Sequence, residues 1–313
     1  MKVLIIDEMH ESITPLLNEI NLEVDYRPKI KRHEILSIIE NYEGLIVRSK
    51  TPIDAELLIN AKKLKFVARA GAGVDNVDLE ELEKRNIQLL NAPEGNRDAL
   101  AEHTMGMLLS LFNKINTADQ EIRNGKWDRE GNRGVELIGK TIGLMGFGNM
   151  GSAFAKRLSS FGCEILAFDA EKSGFSNEYV KEVKLEELKE KSQILSIHIP
   201  LNSKNRGIVN YKFLSEFKKL NYIINTSRGE VLILKDLLKL LQEQKLKGAA
   251  LDVLENEKIQ NLNSQELFVF QELTKLKNVI LTPHVAGWSF ESYEKINKVL
   301  SQKIKLLVEK SDN

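Results

Sequence analysis

The sequence predicts an α/β protein of two domains, each a doubly wound parallel sheet with helices on both faces. Three observations lead there. Short apolar runs of strand length alternate with helical stripes along almost the whole chain. The alternation restarts mid-chain at a glycine-rich turn. A length of 313 residues also exceeds what one core of this kind ordinarily organises.

The first unit, residues 1–96, opens on a strand over 3–6, followed by the helical stripe Ile13, Leu16, Leu17 and Ile20. A short strand over 24–27 and a helix marked by Ile35, Ile38 and Ile39 come next. The strand over 45–47 ends at Arg48, Ser49 and Lys50; that over 66–68 runs into Arg69, Ala70, Gly71, Ala72 and Gly73; that over 87–90 closes at Asn91. Parallel sheets of this kind place ligands outside the carboxyl ends of their strands, so the loops at Arg48, Gly71 and Asn91 are candidate binding loops. Residues 98–124 read as one long helix capped by Asp98. Its apolar residues run round much of its circumference, which suits a crossover between domains that also meets a second subunit. His103 on this helix is expected to hydrogen-bond within it and receives no role.

The second unit, residues 97–282, centres on the stretch 139–169. An apolar run over 141–145 reads as a buried strand, Gly146-Phe147-Gly148-Asn149-Met150-Gly151 follows, and Met150, Phe154, Leu158 and Phe161 recur at helical spacing. A second apolar run over 165–168 stops at Asp169. Gly146 permits the tight turn, Gly148 lets the backbone approach a pyrophosphate, and Gly151 lets the helix lie close on the strand. The helix N-terminus presents unpaired N–H groups to phosphates. Asp169 accepts from the adenosine ribose hydroxyls and repels a 2′-phosphate, so the pocket selects NAD over NADP. Glycine turn, flanking strands and terminal carboxylate together mark a Rossmann dinucleotide site.

Further strands are expected over 194–199, 222–226, 248–253 and 279–282, six in this sheet with the two of the glycine motif. Their carboxyl ends carry the remaining unusual residues: Arg228 after one, Asp252 and Glu257 after the next, His284 after the last. A guanidinium holds a carboxylate in a fork. An imidazole passes a proton to or from a hydroxyl as hydride moves, and a neighbouring carboxylate raises its pKa and orients its ring. A redox reaction on a 2-oxo or 2-hydroxy acid needs these groups.

Composition sets the limits. Lys+Arg 45 balances Asp+Glu 45, so no global field recruits nucleic acid or an acidic membrane. One cysteine, Cys163, fits a reducing compartment and a packing role. No apolar run approaches a membrane span, and the strand at the N-terminus leaves no signal peptide. No Cys/His cluster has metal-ligand spacing. A cytoplasmic enzyme is the expected class.

The motifs resemble the D-isomer-specific 2-hydroxyacid dehydrogenase family, and most of all its phosphoglycerate dehydrogenase branch. They are GFGNMG with Asp169, HIPLNSKNRGIV from His198, NTSRGEVL around Arg228, ALDVLENE ending at Glu257, and TPHVAGWS around His284. The likeness extends through IVRSKT, ARAGAGVDNVDL and NAPEGNRDALAEHT in the first unit. It implies a Rossmann NAD-binding domain, 97–282, inserted into a flavodoxin-like substrate domain, 1–96 and 283–313. It further implies that Arg228 binds the substrate carboxylate, Glu257 supports His284, and His284 is the acid–base. Backbone N–H groups around Ala72 and Gly73 would add a second grip. Asp252 would lie near the nicotinamide amide, with His198, Pro200 and Thr226 lining that pocket. The last helix would return to the first, and two chains would pair through their nucleotide domains.

Two departures bear on the substrate. Lys258 stands where relatives often carry proline, which leaves the loop after Glu257 less constrained. The phosphoglycerate branch often has two arginines where this chain has Arg48 and Lys50; the resemblance implies that these two face the substrate phosphate, lysine keeping the charge but lacking the planar fork. The resemblance therefore implies oxidation of 3-phosphoglycerate in a short form without a serine-sensing C-terminal domain. Glyoxylate or hydroxypyruvate reduction is the alternative. A non-catalytic NAD-sensing scaffold of the corepressor kind is a third reading, against which the intact Arg228, Glu257 and His284 speak.

Overall fold

Hydrophobic runs at strand spacing become two parallel sheets in the computed structural model, which describes residues 1–311. In the first sheet β1 (Lys2–Ile5), β2 (Glu23–Tyr26), β3 (Gly44–Val47), β4 (Phe66–Arg69) and β5 (Gln88–Asn91) take the order β2-β1-β3-β4-β5. That is the flavodoxin-like order. Alternate residues of each strand feed opposite faces: Val67 joins the cluster of Ile35, Leu45 and Leu57, while Phe66 and Ala68 join Ile5, Ile13 and Leu17. The helix Phe290–Ser311 closes this second face with Ile296, Leu300 and Ile304, and Asn297 Nδ2 donates to the His10 carbonyl at 3.0 Å.

The second sheet contains β6 (Thr141–Met145), β7 (Glu164–Phe168), β8 (Lys181–Glu182), β9 (Ile194–Ile197), β10 (Tyr222–Asn225), β11 (Gly248–Leu251) and β12 (Val279–Leu281). Its order is β12-β11-β10-β9-β6-β7-β8, a Rossmann arrangement in which the chain reverses direction across the sheet between β6 and β9. Ile142, Leu144 and Ile224 pack on one face with Phe154, and Met145, Leu195 and Ile223 on the other with Leu237. The sheet has seven strands rather than the expected six. The additional strand, β8, is two residues long and pairs Lys181 with Leu166 and Glu182 with Ala167, too short to show a period in sequence.

The chain divides into two compact units, one holding Met1–Arg97 and the chain from Trp288 onward, the other Asp98–Gly287. Residues 283–287, assigned from sequence to the first unit, belong to the second. The backbone N–H of His284 donates to the Asp252 carbonyl at 2.8 Å, and those of Val285 and Ala286 to its carboxylate at 2.9 and 2.8 Å. These bonds keep the segment on the end of β11.

The helix expected over 98–124 is two helices, Pro93–Phe112 and Ile115–Arg123. Pro93 occupies the first helical position, where its missing N–H is no loss, so the helix starts earlier than its apolar stripe suggests. Lys114 adopts a left-handed conformation (φ 52°) that interrupts the ladder, and its ammonium donates to the Gly131 carbonyl at 2.7 Å.

Candidate active site

The glycine turn lies between β6 and the helix Asn149–Leu158. Gly146 has φ +100°, and a Cβ there would overlap the His198 backbone at 2.6 Å. Nothing approaches Gly148 where a side chain would project, so the backbone is open to a ligand. Gly148 gives the helix no side-chain cap, which leaves the first-turn N–H groups around Asn149, Met150 and Gly151 available to phosphate oxygens.

Asp169 lies just beyond β7. Its carboxylate accepts from the backbone N–H groups of Phe147 (2.8 Å), Glu171 (2.9 Å) and Lys172 (3.0 Å). Burial pushes its pKa up, but these three donors outweigh it and hold the carboxyl below the usual range, so the group is anionic. Open turn, uncapped helix and ordered carboxylate fit the pyrophosphate and ribose of NAD. His198 packs its ring on Phe154 at 5.6 Å and shares a 2.9 Å hydrogen bond between Nε2 and Ser196 Oγ. Burial lowers it to about 4, so it is neutral. The Pro200 carbonyl accepts from Asn205 Nδ2 at 2.9 Å, and buried Thr226 lies 3.3 Å from the Thr104 hydroxyl.

An imidazole–carboxylate pair forms beyond two strand ends. His284 Nδ1 lies 2.8 and 3.0 Å from the two Glu257 oxygens, and both side chains are about half exposed at 45%. Donation of a hydrogen bond from His284 Nδ1–H to Glu257 raises the imidazole above its ordinary value, against partial desolvation and the opposing charge of Arg228. Nε2 is left to meet a substrate oxygen. Arg228 stands in the turn after β10, which Asn225 shapes: Asn225 Nδ2 donates to the Arg228 carbonyl at 3.0 Å, while its Oδ1 accepts from Ser227 N–H and Oγ–H. Gly229 follows so closely under the Leu254 carbonyl that any Cβ would overlap it. The resulting turn can present a guanidinium near the imidazole.

Asp252, 1% exposed, spends its oxygens inside the protein. It accepts from Val285 N–H, Ala286 N–H and the Thr282 hydroxyl, and His103 Nε2 lies 3.6 Å away. His103 itself pairs with Thr282 Oγ1 at 3.1 Å rather than within its helix, because its ring reaches the end of β12. Asn225, Thr282 and His103 are therefore site-building residues that motif reasoning passed over. The last two are 179 positions apart, and no local period carries such a signal.

In the first unit, Arg48 follows β3; its N–H donates to buried Asp7, and its guanidinium lies over the Trp288 ring at 4.3 Å and the Tyr293 ring at 5.0 Å. Lys50 donates its ammonium to the Ile30 and Pro28 carbonyls at 2.7 and 3.1 Å. Gly71 (φ +146°) turns the chain after β4, and Asn91 Nδ2 holds the Ala72 carbonyl at 2.7 Å, which leaves Ala72 and Gly73 partly exposed.

Residues 105–286 match the model of the D-isomer specific 2-hydroxyacid dehydrogenase, NAD binding domain. The chain is 33% identical over 306 residues to the D-3-phosphoglycerate dehydrogenase of Archaeoglobus fulgidus, covering 97% of this chain and 56% of that one. It thus spans little more than half the length of that relative. It is 34% identical over 294 residues to the hydroxypyruvate reductase of Thermotoga maritima, covering 94% of each. The D-lactate dehydrogenase of Aquifex aeolicus, solved with NAD and lactic acid, superposes with a TM-score of 0.83 at 25% identity, over 99% of this chain and 96% of that one.

Proposed function

Because the chain belongs to the D-isomer specific 2-hydroxyacid dehydrogenase family, we propose that it interconverts 3-phosphoglycerate and 3-phosphohydroxypyruvate, a step of serine biosynthesis. The observation that carries the chemistry is the His284–Glu257 pair, at 2.8 Å, beside the Arg228 turn. A bound NAD⁺ would accept the hydride in oxidation of the hydroxy acid, and a bound NADH would donate it in reduction of the 2-oxo acid. Arg228 holds the substrate carboxylate and polarises the neighbouring C2 oxygen. His284, held by Glu257 through Nδ1, delivers a proton from Nε2 to that oxygen in reduction and removes it in oxidation. Within the first unit, Arg48 and Lys50 are the candidate cations for a substrate phosphate, and the partly exposed backbone at Ala72 and Gly73 is a candidate carboxylate grip.

One observation favours reduction of unphosphorylated hydroxypyruvate or glyoxylate instead: the Lys50 ammonium is already bound by two backbone carbonyls. Specificity constants for phosphohydroxypyruvate, hydroxypyruvate and glyoxylate with NADH, followed at the nicotinamide absorbance, separate the two. A preference for the phosphorylated acid that Arg48→Ala abolishes supports the phosphoglycerate reading; a preference for hydroxypyruvate overturns it. Binding of NADH without reduction of any 2-oxo acid would point to a sensing scaffold. Trp127 (80% exposed) and Ile138 (66%) in the second unit support a homodimer paired through nucleotide units, which light scattering of the purified protein tests.

A further inference from the structure

We propose that His103 is a positioning residue for the acid–base loop, acting through Thr282 on the buried carboxylate of Asp252; this rests on the reading of His284 as the acid–base group. Asp252 grips the loop on both sides of His284. Its carbonyl accepts from His284 N–H, and its carboxylate accepts from Thr282 before it and from Val285 and Ala286 after it. His284 is thereby held at φ 53°, a left-handed conformation that a residue with a Cβ keeps only where its surroundings over-determine it.

Hydrogen-bond polarity sets the direction of the chain. Thr282 has one hydroxyl proton, and the buried carboxylate takes it. Toward His103 Nε2, at 3.1 Å, the Thr282 oxygen can then only accept, so Nε2 carries the proton. The sequence is His103 Nε2–H to Thr282 O–H to the Asp252 carboxylate, each donor polarising the next. β12 is the edge strand of its sheet, so Thr282 at its end draws this support from the helix Pro93–Phe112. The adjacent Thr104 donates its one hydroxyl proton to the Leu100 carbonyl at 2.7 Å, and its oxygen lies 3.3 Å from Thr226 Oγ1, from which it can accept. One turn of helix therefore braces the ends of both β10 and β12. The charged groups acting on His284 are Glu257, Arg228 and Asp252.

The test is an NMR titration of ring-labelled histidines in the full chain, with steady-state kinetics on the same samples. In His103→Ala and Thr282→Val the loop loosens from Glu257, so the His284 midpoint falls toward the ordinary imidazole value. kcat/KM drops about tenfold, while the Kd for NADH stays within about twofold. His103→Gln, whose amide can donate to Thr282, restores most of both. An unshifted His284 midpoint in folded His103→Ala, or a His103→Gln that behaves like His103→Ala, overturns the proposal. The titration needs no turnover, so a wild-type chain that reduces no 2-oxo acid refutes the enzymatic reading separately.

Discussion

His284 joins a carboxylate-paired imidazole to an unusual backbone angle, and it is the residue on which the proposed chemistry rests. Its motif, TPH at a strand end, was legible from sequence, as were Glu257 and Arg228, because each follows an apolar strand run at a carboxyl end. The left-handed backbone was not legible, since it is imposed by Asp252 from another strand. That angle guides the choice of variant. Asparagine tolerates the left-handed region far better than alanine, so His284→Asn removes the imidazole with the least backbone change. We expect kcat to fall by roughly 10² to 10⁴ with little change in Tm, measured by NADH oxidation and thermal melting. Glu257→Gln tests the pair. Reduction needs the protonated imidazole, so activity declines as pH rises through the His284 pKa, which Glu257 holds above the ordinary value of about 6.5. The variant's declining limb should move to lower pH; an unmoved limb in the kcat/KM profile would contradict this. The same shift makes the pair stabilising below about 6.5 and progressively less so as pH rises through the folded value. With both side chains near half exposed, solvent screens that contribution.

At the scale of elements, apolar period identified long strands and helices and failed where length or a single angle decided. β8 has two residues, and the break at Lys114 rests on one left-handed residue inside an otherwise apolar stripe. The turns between elements are set by contacts from distant strands. Gly229 shows this best: its place in the motif was visible, but the reason, the Leu254 carbonyl pressed against it, lies beyond β11. Gly229→Ala must push β10 and β11 apart at their ends. We expect a loss of about 1–3 kcal/mol, as for other overpacked sites, read as a lower urea midpoint, together with a raised KM as the Arg228 turn shifts. Wild-type stability in that variant would show that the turn is softer than its packing indicates.

For the whole molecule, strand–helix alternation, its restart at the glycine turn and chain length foretold two doubly wound sheets; the placement of residues 283–287 depended on hydrogen bonds to Asp252. Among the described residues no helix is long and apolar enough to cross a membrane. The second unit is one uninterrupted segment with its own core on both faces of its sheet. Residues 98–287 expressed alone should fold and bind NADH, and a ligand concentration of about 100 Kd should raise Tm by roughly 5–10 °C. A fragment without a cooperative melt would refute this. The first unit differs, because Ile296, Leu300 and Ile304 of the helix Phe290–Ser311 close a face that also holds Ile5, Ile46 and Phe66. On the ribosome, then, the unit begun earlier is completed later: its nascent sheet waits, greasy side uncovered, until the helix Phe290–Ser311 emerges, and chaperones should engage it during that interval.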